Sequence, residues 1–310
     1  MKEIGRISDI VSESNKLTIL IGSGVNIHAT HGKTTVLTSW PKLLDTAFGR
    51  KSKVSSENYI LDFERRLVDK TSNQNENAAN DIQNVILKKV CESIEKEQIK
   101  TTYSKDYPTY LFNKEIVSNV VSLNFDLIPE RIMSSGIIPK LGKKHDSLSK
   151  YKSSNVCRYR EINGIRYWHP HGDIESKQSL VLGMRQYIEN VKHLEDMRRF
   201  HKSKNHSAKV ENGIANSWYE ALVNHPVLIL GASLSDNELD IWGALINRER
   251  NFAKGINRSE HRPPVYIMWS ECKSDKFNKP DWIKPIFQVD QSYYEQWQKL
   301  KQLFEVHGTL

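Results

Sequence analysis

The stretch from Ile116 to Asp126 constrains the fold of this chain more than any other. A largely apolar run, rich in β-branched residues, ends at Val121 and is followed closely by Asn124 and Asp126. Such a run is typical of a strand buried on both faces, as in a parallel sheet covered by helices. Because ligands bind at the carboxyl ends of these strands, Asn124 and Asp126 are candidate functional residues. The plainer alternative is that they only turn the chain or cap a helix.

Two other apolar runs open into loops of small residues. Leu17–Ile21 is followed by Gly22-Ser23-Gly24, and the run that begins at Pro226 is followed by Gly231 and Ser233. A strand followed by glycines lets the backbone approach a phosphate closely, with amide groups free to donate, although an ordinary tight turn also explains the first loop. The shorter runs that predict additional strands are 166–168, 180–183 and 265–269.

Helical periodicity predicts a helical insertion, residues 40–115, that follows the first strand and overhangs the polar strand ends. Ser39 is expected to cap its first helix, with Pro41 in the first turn. Two further insertions are expected at 131–165, as basic loops, and at 186–215, as a helix and a polar loop. The segments predicted to be helical are 2–13, 57–69, 77–98, 186–210, 215–224, a helix starting near Ser235, and 292–305.

These elements predict one α/β domain over residues 1–310, with a Rossmann-like parallel sheet and helices on both faces. No apolar run approaches ~20 residues and no signal peptide precedes the first helix, so we expect a cytoplasmic protein without a membrane span. The net charge of +8 favours anionic partners without choosing among them, and direct nucleic-acid binding stays open. Three widely separated cysteines exclude a zinc ribbon or a disulfide framework.

A second polar cluster, Trp168-His169-Pro170-His171-Gly172-Asp173, follows a short aromatic strand. Histidine has an ordinary pKa near ~6.5 and therefore suits general-base chemistry at neutral pH. The alternative is that His171 hydrogen-bonds a turn while His169 packs in the core. No third ligand stands at an obvious spacing, so the pair does not predict a metal site.

The order of these motifs resembles that of the SIR2-like family, sirtuin-related Rossmann-type domains that consume NAD⁺. The motifs are the strand and glycine turn at 17–26, SW-P-x-LL at 39–44, SLNFD at 122–126, HGD at 171–173, LVLG…Y at 180–187 and LILGASLSD at 228–236. No single motif is specific, but their order extends across most of the chain.

The resemblance implies NAD⁺-binding roles for several residues. Gly22, Ser23 and Gly24 match the turn that holds the pyrophosphate, and Gly231 and Ser233 match the loop that holds the adenosine half. Asp126 matches the acid that reads the nicotinamide carboxamide. Asn26 stands where the family has a serine, and we count it with the binding residues.

The resemblance also implies two catalytic residues. Asn124 matches the asparagine that contacts the nicotinamide-side ribose and orients the attacking water. His171 matches the histidine that acts as a general base or orienting group at the ribose hydroxyls. Sirtuin deacylases differ, since they carry a four-cysteine zinc module and have a glutamine where this chain has Leu123.

These departures favour the SIR2-like NAD⁺ glycohydrolases of bacterial antiphage defence, which release nicotinamide and ADP-ribose, over acyl-lysine deacylases. The resemblance further implies a homo-oligomer, no metal, and a separately encoded partner such as a HerA-like ATPase or a short Argonaute. A non-catalytic nucleotide-binding regulatory subunit is the main alternative. The set of Asn124, Asp126 and His171 speaks against it, because a pure binder does not need the histidine.

Overall fold

Seven strands form one mostly parallel sheet in the described part of the chain. The computed structural model describes residues 7, 11, 16–51, 58–102, 105–138, 155–203, 216–235, 238–253, 263–268, 280–287 and 292–305. The strands are β1 (Leu17–Ile21), β2 (Val117–Ser122), β3 (Tyr159–Ile162), β4 (Ile165–Trp168), β5 (Val227–Leu230), β6 (Val265–Ile267) and β7 (Ile283–Pro285). Their order is β3-β4-β2-β1-β5-β6-β7, and only β3 and β4 pair in antiparallel fashion. This confirms the Rossmann-like α/β prediction.

Helices cover both faces of the sheet. They are α1 (Ser23–Ala29), α2 (Trp40–Phe48), α3 (Tyr59–Thr71), α4 (Glu76–Thr102), α5 (Ile128–Met133), α6 (Met184–Ser203), α7 (Trp218–Asn224), α8 (Leu239–Ala253) and α9 (Tyr293–Glu305). Short 3₁₀ turns occur at Thr109–Phe112, Asn155–Cys157 and Lys177–Ser179. Among the described helices, none is both long enough and apolar enough to cross a membrane.

The central strand β1 shows why helices are needed on both faces. Every residue of β1 is buried, and alternate side chains point to opposite faces of a strand. Ile19 and Ile21 pack into the core that α1–α5 and α9 share, whereas Leu20 packs into the core that α6, α7 and α8 share. Burying an aliphatic side chain contributes about 1.5–3 kcal/mol, so either layer of helices stabilises the sheet substantially.

The connections from β1 create a crevice at the carboxyl edge of the sheet. The chain passes from β1 through α1–α4 to β2, which pairs with β1 on one side, while β5 pairs with it on the other. Ser39 caps α2 by accepting a hydrogen bond from the Lys42 N–H, and Pro41 lies in the first turn, as predicted. Where strand order reverses in this way, the loops on either side separate and leave room for a ligand.

The expectation of loops throughout 131–165 is wrong at its carboxyl-terminal end. Tyr159–Ile162 and Ile165–Trp168 form a hairpin across Asn163 and Gly164, which both have positive φ angles of 54° and 80°. An Asn-Gly pair is the preferred two-residue hairpin turn, so this signal was present in the sequence. The strand was obscured because its buried position Arg160 carries a charge, which an ion pair with Asp173 compensates.

The strand predicted at 180–183 is also wrong. Leu180, Val181 and Leu182 are buried, which explains the apolar signal, but they form no ladder with another strand. Instead the Val181 N–H donates a single hydrogen bond to the His171 carbonyl oxygen. The predicted helix at 2–13 lies outside the described residues apart from Ile7 and Val11, as do the basic residues between 140 and 152.

Candidate functional site

A cavity of about 540 Å³ opens at the carboxyl edge of the sheet, where β1, β2, β4 and β5 end. It is bounded on one side by the segment that joins β1 to β2. The predicted site residues that line it are Gly22, Ser23, Asn124, Asp126, His171, Gly231 and Ser233. Gly24 and Asn26 do not line it, and both are buried in α1. Residues that are far apart in the sequence therefore line a single cavity, and its volume is typical of a ligand pocket.

The Asn124 backbone is fixed on both sides. Its N–H donates to Ser122 Oγ at 3.2 Å, and its carbonyl oxygen lies 2.9 Å from His169 Nδ1, which must carry the hydrogen to donate. Within the described residues, no group hydrogen-bonds the Asn124 side-chain amide. The amide lines the cavity with both its donor and its acceptor available to a ligand.

The Asp126 carboxylate is almost fully buried at the base of the cavity. Its Oδ2 accepts a hydrogen bond from Asn26 Nδ2 at 2.8 Å, and its Oδ1 accepts one from the Ile128 N–H at 3.2 Å. Burial raises the pKa of the Asp126 carboxyl, although the Asn26 hydrogen bond opposes this change. The bond to the Ile128 N–H, two residues on, forms an Asx turn at the start of α5, which is the ordinary turn role. The carboxylate nevertheless retains acceptor capacity toward the cavity, since each oxygen accepts more than one hydrogen bond.

His171 lies on the opposite wall, in the turn that follows β4. Gly172 has a φ of 84°, and a side chain there would overlap the backbone of Ser179, so the turn requires glycine. The His171 Nε2 lies 3.1 Å from Oδ2 of Asp240, a residue of α8. Burial opposes a charge on the ring, but the Asp240 carboxylate outweighs it and raises the pKa of His171. His171 is thus more than the partner of a turn.

The glycine turn differs in detail from the sequence expectation. The Gly22 N–H donates to the Leu230 carbonyl oxygen at 3.0 Å, and the Gly24 N–H donates to the Gly231 carbonyl oxygen at 2.8 Å. These two amides are therefore not free to bind a phosphate, as the strand-turn pattern suggested. Ser23, between them, is exposed and lines the cavity.

Glycine is required in this turn because two loops touch through their backbones. A Cβ atom on Gly22 would lie 2.6 Å from the Gly231 carbonyl oxygen, and one on Gly24 would lie 2.7 Å from the Tyr293 hydroxyl and overlap Gly231. Gly231 itself has a φ of 63°, in the left-handed region. The glycines that follow β1 and β5 therefore bring the two strand ends together at the floor of the cavity.

Aromatic side chains from the helical segment form the outer wall. Trp40 of α2 lies 5.6 Å from Phe125 and 5.9 Å from Tyr59, measured between ring centroids. The apolar residues that extend this wall are Val36, Leu37, Pro41, Leu43, Ile60 and Ile94. An apolar wall facing a few polar groups is the usual composition of a small-molecule site.

Behind the cavity, His169 forms a buried pair with Glu130 of α5. The His169 Nε2 lies 2.6 Å from Glu130 Oε1, and both side chains are at most 4% exposed. Burial opposes a charge on His169, but Glu130 outweighs it and raises the pKa of the imidazole. The alternative that His169 is a core residue is correct, although it also anchors the Asn124 backbone.

Sequence reasoning did not identify Glu130 or Asp240, which contact the two polar loops through tertiary structure. Glu130 follows Asp126 by four residues, a spacing that indicates only a shared helix face. Asp240 follows the small-residue loop after β5, and no spacing links it to His171. Among the described residues, no three His, Cys, Asp or Glu side chains are grouped as a metal site requires.

Comparison with protein-family models adds an independent finding. The model of the SIR2-like domain family matches residues 118–286, more than half of the chain. The match begins within β2 and ends just after β7, so it includes the loops that carry Asn124, His171 and Gly231. No curated protein matches the chain in a sequence comparison.

Proposed function

Since this chain belongs to the SIR2-like domain family, whose members use NAD⁺, we propose that it hydrolyses the nicotinamide–ribose bond of NAD⁺. The products are nicotinamide and ADP-ribose. The observation that carries the proposal is that Asn124, Asp126 and His171 line a single cavity together with the Gly22 and Gly231 loops. The strand ends thus supply the amide, carboxylate and imidazole that the reaction requires.

The reaction needs the nicotinamide to leave and a water molecule to attack the ribose. The glycosidic C–N bond breaks, its electron pair neutralises the pyridinium nitrogen, and the ribose carbon passes through an oxocarbenium-like state. Water then forms the new C–O bond and loses a proton to the solvent. An enzyme accelerates these steps mainly by holding both partners in position and by stabilising the charge that develops.

The contacts of the described residues suit these roles. Asp126 is held by Asn26 and the Ile128 N–H, so its remaining lone pairs can accept the carboxamide N–H groups of nicotinamide. The Asn124 amide, with its backbone fixed by His169 and Ser122, can orient water. His171, with a raised pKa, can accept a proton from a ribose hydroxyl.

A nucleotide-binding subunit without turnover is the second candidate. It accounts for the cavity and for the close glycine contacts, which binding alone requires. It does not account for a buried carboxylate on His171, which binding of a nucleotide does not need. An acyl-lysine deacylase is a poorer candidate because three cysteines cannot form a four-cysteine zinc module.

We place this activity, as the family resemblance implies, in the cytoplasm of a bacterium and in antiphage defence. There, depletion of NAD⁺ stops the metabolism of an infected cell. A homo-oligomer and a separately encoded partner, such as a HerA-like ATPase or a short Argonaute, belong to the same proposal. The partner follows from the need to restrain an enzyme that consumes the NAD⁺ of its own cell, and the homo-oligomer follows from the family resemblance.

The test is release of nicotinamide from NAD⁺, measured by chromatography with the purified protein. We expect Asn124→Ala and His171→Ala each to lower the rate by ~10²-fold or more. The matched controls are Asn80→Ala and His31→Ala, which alter exposed residues away from the cavity and should retain the wild-type rate. Activity that survives both site substitutions would refute the assignment. Calorimetric binding of NAD⁺ without nicotinamide release, both from the purified protein and in a lysate of phage-infected cells that contains the neighbouring gene product, would favour the second candidate.

A further inference from the structure

Asp240 is a completely buried carboxylate that reaches the wall of the cavity from α8. It is the second residue of α8, and its Oδ2 lies 3.1 Å from the Nε2 of His171. A carboxylate loses several kcal/mol of hydration when it is buried, so its retention requires strong compensating contacts.

Those contacts fix the carboxylate rigidly. Tyr187 Oη donates to Oδ1 at 3.2 Å, and the Ile241 N–H donates to the same oxygen at 2.9 Å. Asn190 Nδ2 donates to Oδ2 at 2.9 Å, beside His171. Tyr187 Oη also accepts a hydrogen bond from the Asp240 N–H at 3.1 Å. Helices α6 and α8 therefore hold both carboxylate oxygens in place.

The charge on Asp240 is stable in this environment. Burial alone would raise the pKa of its carboxyl, but the His171 ring and the surrounding hydrogen bonds outweigh burial and lower it. At neutral pH the carboxylate is ionised and can only accept hydrogen bonds. The His171 Nε2 must therefore carry a hydrogen in both protonation states of the ring, and Nδ1 is the nitrogen that gains or loses a proton.

We propose that Asp240 is a positioning residue that fixes the tautomer of His171 and stabilises its protonated form. This inference rests on the proposed NAD⁺ hydrolysis. The proton moves from a ribose hydroxyl to Nδ1, whose lone pair forms the new N–H bond. The O–H electron pair stays on the ribose oxygen and stabilises the cationic ribose carbon. The proton returns after water has attacked, so the ring ends as it began.

A purely structural role as a helix cap does not explain these contacts. Capping needs only the bond to the Ile241 N–H, whereas Asp240 directs its other oxygen to a histidine that lines the cavity. The charged and titratable groups that face His171 are Asp240 of α8, Glu238 just before that helix, and Tyr187 of α6. Of these, Asp240 makes the direct contact with the ring, and a hydrogen bond to the Leu123 backbone also favours the protonated form of His171.

The first test is Asp240→Asn, which keeps the shape of the side chain and removes its charge. The titration of the His171 imidazole is followed by NMR, with its resonance assigned by its loss in His171→Ala. We expect the pKa of His171 to fall by about one unit or more. In the NAD⁺ assay we expect kcat to fall ~10²-fold with KM changed less than about threefold, and the acidic limb of the pH profile to move to lower pH.

Asn190→Ala is the second variant, because a protein with a changed Asp240 can fail to fold. It removes one donor from Oδ2 and leaves the charge, so the carboxylate attracts His171 more strongly. We expect the pKa of His171 to rise in this variant, opposite to its change in Asp240→Asn. A loss of packing alone would not move the two values in opposite directions.

The NMR titration needs no NAD⁺, so it separates this inference from the proposed function. An unchanged His171 pKa in the folded variants would overturn the coupling, whatever reaction the protein catalyses. Wild-type hydrolysis that Asp240→Asn leaves unchanged in rate and pH profile would overturn the positioning role while the proposed function stands. Opposite pKa shifts, with no wild-type hydrolysis even in the lysate of infected cells, would support the coupling and remove the proposed function instead.

Discussion

Asn26 Nδ2 donates a hydrogen bond of 2.8 Å to Asp126 Oδ2, and this contact joins α1, which follows β1, to the polar segment that follows β2. Asn26 is completely buried, and its Oδ1 has no partner among the described residues. The Asn26 amide therefore acts through its nitrogen, which holds the Asp126 carboxylate at the base of the cavity. The Asn26 side chain thus reaches Asp126 directly from α1.

Asn26→Asp should destabilise the protein in a pH-dependent way. Two adjacent buried carboxylates cannot both ionise, so one has a pKa raised above its unfolded value near ~3.9. Such a carboxyl is protonated in both the folded and the unfolded protein at low pH. Stability is lost as the pH rises above the unfolded pKa, because only the unfolded protein can then ionise it freely. We expect a loss of about 3 kcal/mol at pH 8 and a smaller one at pH 5, measured by urea unfolding. Asn26→Ser adds no charge and removes only the hydrogen bond that lowers the pKa of Asp126, so its loss should depend on pH in the same direction but more weakly.

Glu130→Gln should remove the charged partner of His169. Because the folded pKa of His169 is raised, its ion pair stabilises the protein fully below its unfolded pKa near ~6.5 and less as the pH rises through the folded value. We expect a loss of about 3 kcal/mol in the free energy of unfolding at pH 6, and a smaller loss at pH 9. Equal losses at both pH values would contradict a charged pair. Glu92→Gln, in the exposed pair with Lys88, should change stability by less than about 0.5 kcal/mol.

Gly24→Ala should cost about 2 kcal/mol of stability, because the new methyl group meets the Gly231 backbone and the Tyr293 hydroxyl. Gly243→Ala, within α8, is the matched control, since a Cβ there would lie 3.7 Å from Leu194 Cδ2 of α6, an ordinary contact. Alanine has the higher helix propensity, so this control should stabilise the protein by up to about 1 kcal/mol. Thermal unfolding of both variants measures the difference. A Gly24 variant as stable as wild type would mean that the two loops do not touch.

Arg160→Met should leave Asp173 buried without its bidentate partner. Burial raises the pKa of the Asp173 carboxyl, but His169 and Arg160 outweigh burial and lower it. The pair therefore stabilises the protein above the unfolded pKa near ~3.9, and this contribution is lost as the pH falls through the folded value. We expect a loss of about 3–5 kcal/mol in the free energy of unfolding at pH 7, and a smaller loss below pH 4. Guanidinium unfolding at each pH measures this difference. Arg50→Met, in the exposed pair with Asp69, should show a change below about 0.5 kcal/mol at either pH.

The sheet and the residues at its rim follow from local sequence patterns. Runs such as Leu17–Ile21 are apolar at every position except Thr18, and only a strand that is covered on both faces buries such a run completely. Parallel strands end at the same edge, so Gly22, Asn124 and His171 are brought together once the strand order is set. This is why the residues around the cavity could be predicted without knowing any contact between them.

The supporting charges could not be predicted in the same way. Asp240 reaches His171, and Glu130 reaches His169, because helices approach loops that are distant in the sequence. Neither contact produces a periodicity or a spacing in the sequence from which it could be predicted. Arg160 misled the sequence interpretation for a related reason, since a buried arginine in a strand looks exposed until its partner Asp173 is known.

The pairing of β1 has a consequence for the synthesis of the chain. Thr18 in β1 pairs with Asn119 on one side and with Val227 on the other, so both partners leave the ribosome long after β1 itself. Contacts this distant form slowly, and a nascent β1 is an unpaired apolar edge until then. The floor of the cavity needs Gly22 and Gly231 in contact. A nascent chain that stops before β5 therefore has no floor, and NAD⁺-binding competence should appear abruptly during translation, once β5 has emerged.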